Sequence, residues 1–210
     1  MHETGYRRLE LAAFAPWAAA HRRPHEAAYY AMYSSVYDAI VTDPALMTLP
    51  VDDHVAHRGD GVFETFKCVG GALYNLEAHL DRLEASAAGL RLRLPAARDE
   101  LRAAVCETVR AGGRHDAAVR VLLSRGTGTL GANPYGCLRP EVYILAYALR
   151  PPFMEQHPAG ASAIFSSMPV KPSFFARVKS CNYLPNVLMA AVAEEAGVDF
   201  ALGLDEQGCL

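Results

Sequence analysis

Residues 62–69 read Val-Phe-Glu-Thr-Phe-Lys-Cys-Val, rich in β-branched and aromatic side chains. Gly70-Gly71 and Ala72-Leu73-Tyr74 follow. A strand-like run broken by two glycines predicts a β-hairpin. Asn75 is then expected to cap a helix, because Leu76, Leu80, Leu83, Ala87 and Leu90 recur at alternating steps of four and three and mark one apolar face. Pro95 breaks that run. A second helix fits 98–111, with Leu101, Val105 and Val109 inward and Gly112-Gly113 as its stop. Residues 117–124 and 141–149 read as strands joined by a Gly/Pro-rich loop. Arg150-Pro151-Pro152 is the best linker signal in the chain. Beyond it, 161–168 reads as a strand. Leu184, Val187, Leu188, Ala191 and Val192 share a helix face, between Asn182 near its start and Gly197 past its end, and Phe200 opens a last strand.

The first 35 residues, rich in Ala, Arg and Tyr, read as helix and irregular leader. The mixed order that follows favours α+β over a regular βαβ array. The expected organisation is a leader over 1–40, a small α+β domain over 41–150, and the start of a larger domain over 151–210. Asp205 to Gly208 reads as a turn that calls for a returning strand, and the sequence stops at Leu210. The second domain is therefore expected to be incomplete.

Composition narrows the function classes. Residues of the apolar set make up 51% and charged residues 20% of the chain, which excludes a disordered chain. A net charge of −3 gives no global pull on nucleic acid or anionic lipid. No apolar stretch reaches the ~18 residues a membrane helix needs. Five cysteines, with no CxxC pair, suit a reducing compartment, so a cytoplasmic location is expected.

Three features bear on chemistry. Gly126-Thr127-Gly128-Thr129-Leu130-Gly131 matches GxGxxG after a strand, but a dinucleotide site needs a helix there. Asn133-Pro134-Tyr135-Gly136 is turn chemistry instead, so a flexible or substrate-facing loop is expected. Asp52, Asp53, His54 and His57 lack a third spaced metal ligand and read as a polar turn. Lys179 lies after an irregular stretch and just before a helix, where an amine can serve as an imine-forming nucleophile.

Three blocks then occur in order. They are His57-Arg58-Gly59-Asp60-Gly61-Val62-Phe63-Glu64-Thr65 with Gly71, His79-Leu80-Asp81-Arg82-Leu83 and Ser86-Ala87; Ser124-Arg125-Gly126 through Gly131-Ala132-Asn133-Pro134; and Lys179-Ser180-Cys181-Asn182-Tyr183-Leu184-Pro185-Asn186-Val187-Leu188. Together they resemble the class IV pyridoxal-phosphate enzymes, the group of branched-chain and D-amino-acid aminotransferases and aminodeoxychorismate lyase. The resemblance implies the two-domain D-amino-acid-aminotransferase-like fold, pyridoxal 5′-phosphate as cofactor, small amino-acid and 2-oxo-acid substrates, and a homodimer. It implies that Lys179 holds the cofactor and shuttles the proton, that Arg82 clamps the phosphate, and that Tyr183 bonds the ring hydroxyl. It also implies that Phe63 lines the substrate pocket and that an inward Arg120 meets the substrate carboxylate. Leu130 and Ala132 stand where D-amino-acid members carry a charged carboxylate trap, which favours an apolar L-amino acid, with Val62, Phe63 and Leu130 as an apolar wall. The lyase reaction, giving 4-aminobenzoate and pyruvate, is the alternative. The family's glutamate opposite the pyridine nitrogen has no counterpart before Leu210, so an inactive fragment is a further alternative.

Overall fold

The computed structural model describes residues 5–205 and 207–209. A helix α1 (Leu11–Ala20) precedes strands β1 (Tyr29–Ser34) and β2 (Ala39–Val41). The short helix α2 (His54–Arg58) leads into β3 (Gly61–Val69), β4 (Ala72–Leu73), the helices α3 (Leu76–Gly89) and α4 (Arg98–Ala111), and strands β5 (Ala117–Ser124) and β6 (Glu141–Tyr147). The six strands form one antiparallel sheet in the order β2-β1-β6-β5-β3-β4. The leader expected over 1–40 is corrected here. Met32, Tyr33 and Ser34 of β1 pair with Leu145, Ile144 and Tyr143 of β6, so the stretch from Tyr29 belongs to the sheet. Its tyrosines and alanines show no clean alternation; β2 pairs with it on one edge, and β6, more than a hundred residues away, ties it into the sheet on the other.

The β3–β4 hairpin forms as expected. Gly70 (φ +58°) and Gly71 (φ +81°) both take the left-handed conformation that a tight two-residue turn requires. Asn75 holds the expected N-cap position, its carbonyl accepting from His79 N–H (3.1 Å), but it is left-handed (φ +50°) and its side chain makes no capping bond. Alternation along β3 sends Val62, Glu64, Phe66 and Cys68 into the core, while Phe63, Thr65 and Lys67 face the other way. Val119, Val121 and Leu123 of β5 join Leu80, Leu83 and Ala87 of α3 and Leu101 and Val105 of α4 in the same core. The helices thus cover one face of the sheet and leave the Phe63 face more open.

The second region contains α5 (Phe153–Gln156), β7 (Ala163–Ser166), α6 (Ser173–Ala176), α7 (Leu184–Glu195) and β8 (Phe200–Gly203). β7 and β8 pair in parallel, with α6 and α7 in the crossover. In α7 the expected inward face is not buried: Leu184, Val187 and Leu188 are exposed, and Ala193 alone in this helix is fully covered. No helix among the described residues is long and apolar enough to cross a membrane.

Candidate active site

β4 pairs with β3 only at Cys68 and Val69, which leaves the start of β3 with a free edge. The segment Val178–Cys181 docks there. Phe63 N–H donates to the Lys179 carbonyl (3.0 Å), and Cys181 N–H donates to the Gly61 carbonyl (2.8 Å). On its other side the Lys179 N–H donates to Ser86 Oγ of α3 (3.2 Å). Both backbone groups of Lys179 are thus held by the first region. Val178 is buried against it, and a Cβ on Gly89 would lie 2.8 Å from Val178 Cγ2, so a side chain at that helix end would push Val178 from its seat.

The Lys179 amine donates to the Tyr183 hydroxyl (3.1 Å) and sits 4.2 Å from the centroid of the Phe63 ring. Tyr183 lies at the start of α7 and meets Phe63 edge-on, with centroids 5.1 Å apart. Lys179, Tyr183 and Phe63 are therefore brought together as a unit. Arg120 joins it from β5, but not as an inward residue. It is exposed on the open face, its Nε donating to Thr65 Oγ1 (3.3 Å) and its guanidinium lying 5.4 Å from the Phe63 ring. Two cations thus share one aromatic ring, on the side of the sheet that the helices leave open.

Arg82 lines the same cavity as Lys179 and Tyr183, a volume of about 480 Å³. Its fork is spent on a residue that the sequence motifs did not single out. Nε and Nη2 donate to the two carboxylate oxygens of Glu64, both at 2.6 Å, and His79 Nδ1 lies 2.8 Å from Glu64 Oε2. Glu64 is 1% exposed and Arg82 56%. Burial pushes the Glu64 carboxyl up, but the bonds from Arg82 and His79 outweigh it and hold it below its ordinary value. The same bond pushes the Arg82 guanidinium up, so it stays a cation. The signal for Glu64 was present: strict alternation with Val62 and Phe66 places a carboxylate on the core face, where it needs a partner.

Four cationic side chains, Arg82, Lys171, Arg177 and Lys179, line this cavity, and no carboxylate does among the described residues. That donor set fits a phosphorylated ligand. Two other expectations are corrected. Val62 is fully buried in the core, Leu130 is exposed, and neither they nor Phe63 and Arg120 line this cavity, so the expected apolar wall does not form around it. Burial pushes the Cys181 thiol up to about 12, which leaves it inert beside Lys179.

The remaining two motifs take neither the nucleotide-site nor the metal-site form among the described residues. No helix begins in the GxGxxG stretch; a Cβ on Gly126 (φ +98°) would fall 1.7 Å from the Arg139 carbonyl oxygen, so this glycine lets two chain segments touch. Asp53 caps α2 and accepts from Tyr143 Oη (2.7 Å) and Ser124 Oγ, and no metal-ligating group of three forms among the described residues.

The sequence pattern described as "Amino-transferase class IV" matches residues 61–210. The D-amino-acid transaminase, chloroplastic, of Arabidopsis thaliana is 45% identical over 169 residues, which are 80% of this chain and 44% of that protein. The putative branched-chain-amino-acid aminotransferase of Methanocaldococcus jannaschii is 37% identical, over 75% of this chain and 54% of its own. The chain thus spans about half the length of these curated relatives. The branched-chain amino acid aminotransferase of T.th., solved with pyridoxamine 5′-phosphate, superposes with a TM-score of 0.78 at 30% identity, over 86% of this chain and 61% of that one. The pattern covers the β3 edge, the Arg82–Glu64 pair and the Lys179 segment alike, and the chain belongs to the class IV aminotransferase family.

Proposed function

We propose that this protein transfers an amino group, with pyridoxal 5′-phosphate, from an apolar L-amino acid to a 2-oxo acid such as 2-oxoglutarate. The observation that carries the reading is the Lys179 amine, held at 3.1 Å from Tyr183 Oη in a cavity lined by four cations and, among the described residues, no carboxylate. When bound, the cofactor supplies an aldehyde for an amine and a ring that draws electrons. Lys179 would hold it and, once displaced by the substrate amine, would take the proton from the substrate Cα and deliver it to the carbon that bore the aldehyde. Tyr183 fixes the Lys179 amine and offers its hydroxyl to the ring. Arg82 seats the phosphate through Nη1, the nitrogen that Glu64 does not engage. Glu64 in turn orients that guanidinium and keeps part of its charge balanced. Arg120 accepts the substrate carboxylate across the Phe63 ring. A homodimer is proposed with the same assignment.

Arg82→Ala should weaken cofactor binding about ten- to a hundredfold, the worth of a charge-assisted contact at roughly 1.5–3 kcal/mol. Arg91→Ala should do little. Initial rates on paired L- and D-alanine, leucine and glutamate test the substrate. A second reading has its own support: the relative at 45% identity is named for D-amino acids, although Leu130 and Ala132 are uncharged and exposed here. Preference for the D series would establish it. Pyruvate release from aminodeoxychorismate without an amino acceptor would instead favour the lyase.

A further inference from the structure

The chain has three lysines, Lys67, Lys171 and Lys179, against seventeen arginines. Two of the three line the same cavity. The Lys171 amine lies 4.5 Å from the centroid of the Tyr183 ring, and the Lys179 amine lies 5.4 Å from the same centroid. The two nitrogens are therefore at most about 10 Å apart. Among the described residues no ion pair engages Lys171, and the cavity offers it no carboxylate. Its position is restrained from the backbone side: it precedes Pro172, which disfavours helix at Lys171. In a chain that uses arginine almost everywhere else, an amine is placed where only an amine can form a bond to an aldehyde.

We propose that Lys171 is a second covalent attachment site for a phosphorylated aldehyde in this cavity, subsidiary to Lys179. The inference rests on the cofactor reading above. After giving its proton to water, the Lys171 nitrogen adds to the aldehyde carbon. The carbonyl oxygen leaves as water and a carbon–nitrogen double bond forms; nothing is oxidised or reduced. Arg82 and Arg177, in the same lining, direct the phosphate end, so the aldehyde is presented to the cavity amines and not to Lys67 on the exposed face of β3. Lys179 has its backbone held on both sides, by Phe63 N–H and Ser86 Oγ, and its amine bonded to Tyr183, which keeps the Lys171 site secondary while Lys179 is free.

The test is borohydride trapping of the protein incubated with pyridoxal 5′-phosphate, read by peptide mass spectrometry. The wild type, with its adduct expected on Lys179, tests the cofactor reading separately. In Lys179→Ala, and in Lys179→Arg, which keeps a charge toward Tyr183, the adduct should move to Lys171 with at least about tenfold preference over Lys67. Lys171→Arg in the same backgrounds should abolish it while preserving charge. Unphosphorylated pyridoxal should label Lys171 far less, and inorganic phosphate should protect it. Equal labelling of Lys67 and Lys171, equal labelling by pyridoxal, or no adduct in either Lys179 variant would overturn the proposal.

Discussion

The two regions of this molecule bury their apolar residues to very different extents. In the six-stranded sheet, alternation on β3 and β5 and the faces of α3 and α4 close over one core that includes Val62, Val119, Val121, Leu83 and Val105. In the second region Phe165, Phe174, Leu184 and Val187 are more than half exposed, and few residues are covered apart from Ser166, Val178, Ser180 and Ala193. Lys179, the lysine proposed to hold the cofactor, belongs to the second region by sequence and to the first by its bonds. Its carbonyl and N–H are held by Phe63 and Ser86, so the well-packed region positions the chemistry that the open region carries.

The largest effect expected from breaking this arrangement is at the amine itself. Lys179→Ala should lower transamination by at least ~10²–10⁴-fold, the usual worth of a positioned acid–base group, while the far-ultraviolet dichroism stays that of the wild type. Next comes the packing contrast. Leu83→Ala should destabilise the fold by about 2–5 kcal/mol in urea titration, since its side chain is wholly buried. Leu188→Ser, on the exposed face of α7, should change it by no more than about 0.5 kcal/mol. Similar losses from both would show that the second region is packed as firmly as the first.

A finer test lies at the Arg82–Glu64 pair. The folded Glu64 carboxyl titrates below its ordinary 4.5. Its contribution is therefore present above the unfolded value and is lost as pH falls through the folded one. Wild-type stability should fall on acidification below about 4.5 more steeply than that of Glu64→Gln. Parallel curves for the two proteins would remove the pair from the stability account. The smallest effect is expected for Ser86→Ala, which deletes the acceptor for the Lys179 N–H. It should cost about 1 kcal/mol and loosen cofactor binding modestly, because the Phe63 bond still holds the other side of Lys179. Binding as tight as in the wild type would mean that the β3 edge alone sets the lysine.

Much of this was legible in local pattern. The 62–69 run, the double glycine, the spacing of Leu80, Leu83 and Ala87, and the strand at 117–124 each contain their own signal, because periodicities of 2 and 3.6 are properties of neighbours in sequence. Asn75 holds the N-cap position without the side-chain bond, because a residue good at capping is also good at the left-handed conformation, which the hairpin exit takes. Lys179, Tyr183 and Arg82 stood out through the resemblance of three ordered blocks, since short spacings on a helix start or a strand end survive in linear order.

What the sequence alone determined is therefore the local elements and the family, and it singled out Lys179 as the candidate amine. Tertiary structure decided the rest. It paired β1 with β6, turned Arg120 to the open face beside Phe63, committed the fork of Arg82 to Glu64, and set Lys171 over the same tyrosine as Lys179. These are contacts between residues far apart in the chain. Which partner a buried carboxylate takes, or which ring a free amine reaches, depends on how strands and helices stack in space, and no periodicity along the chain encodes that distance.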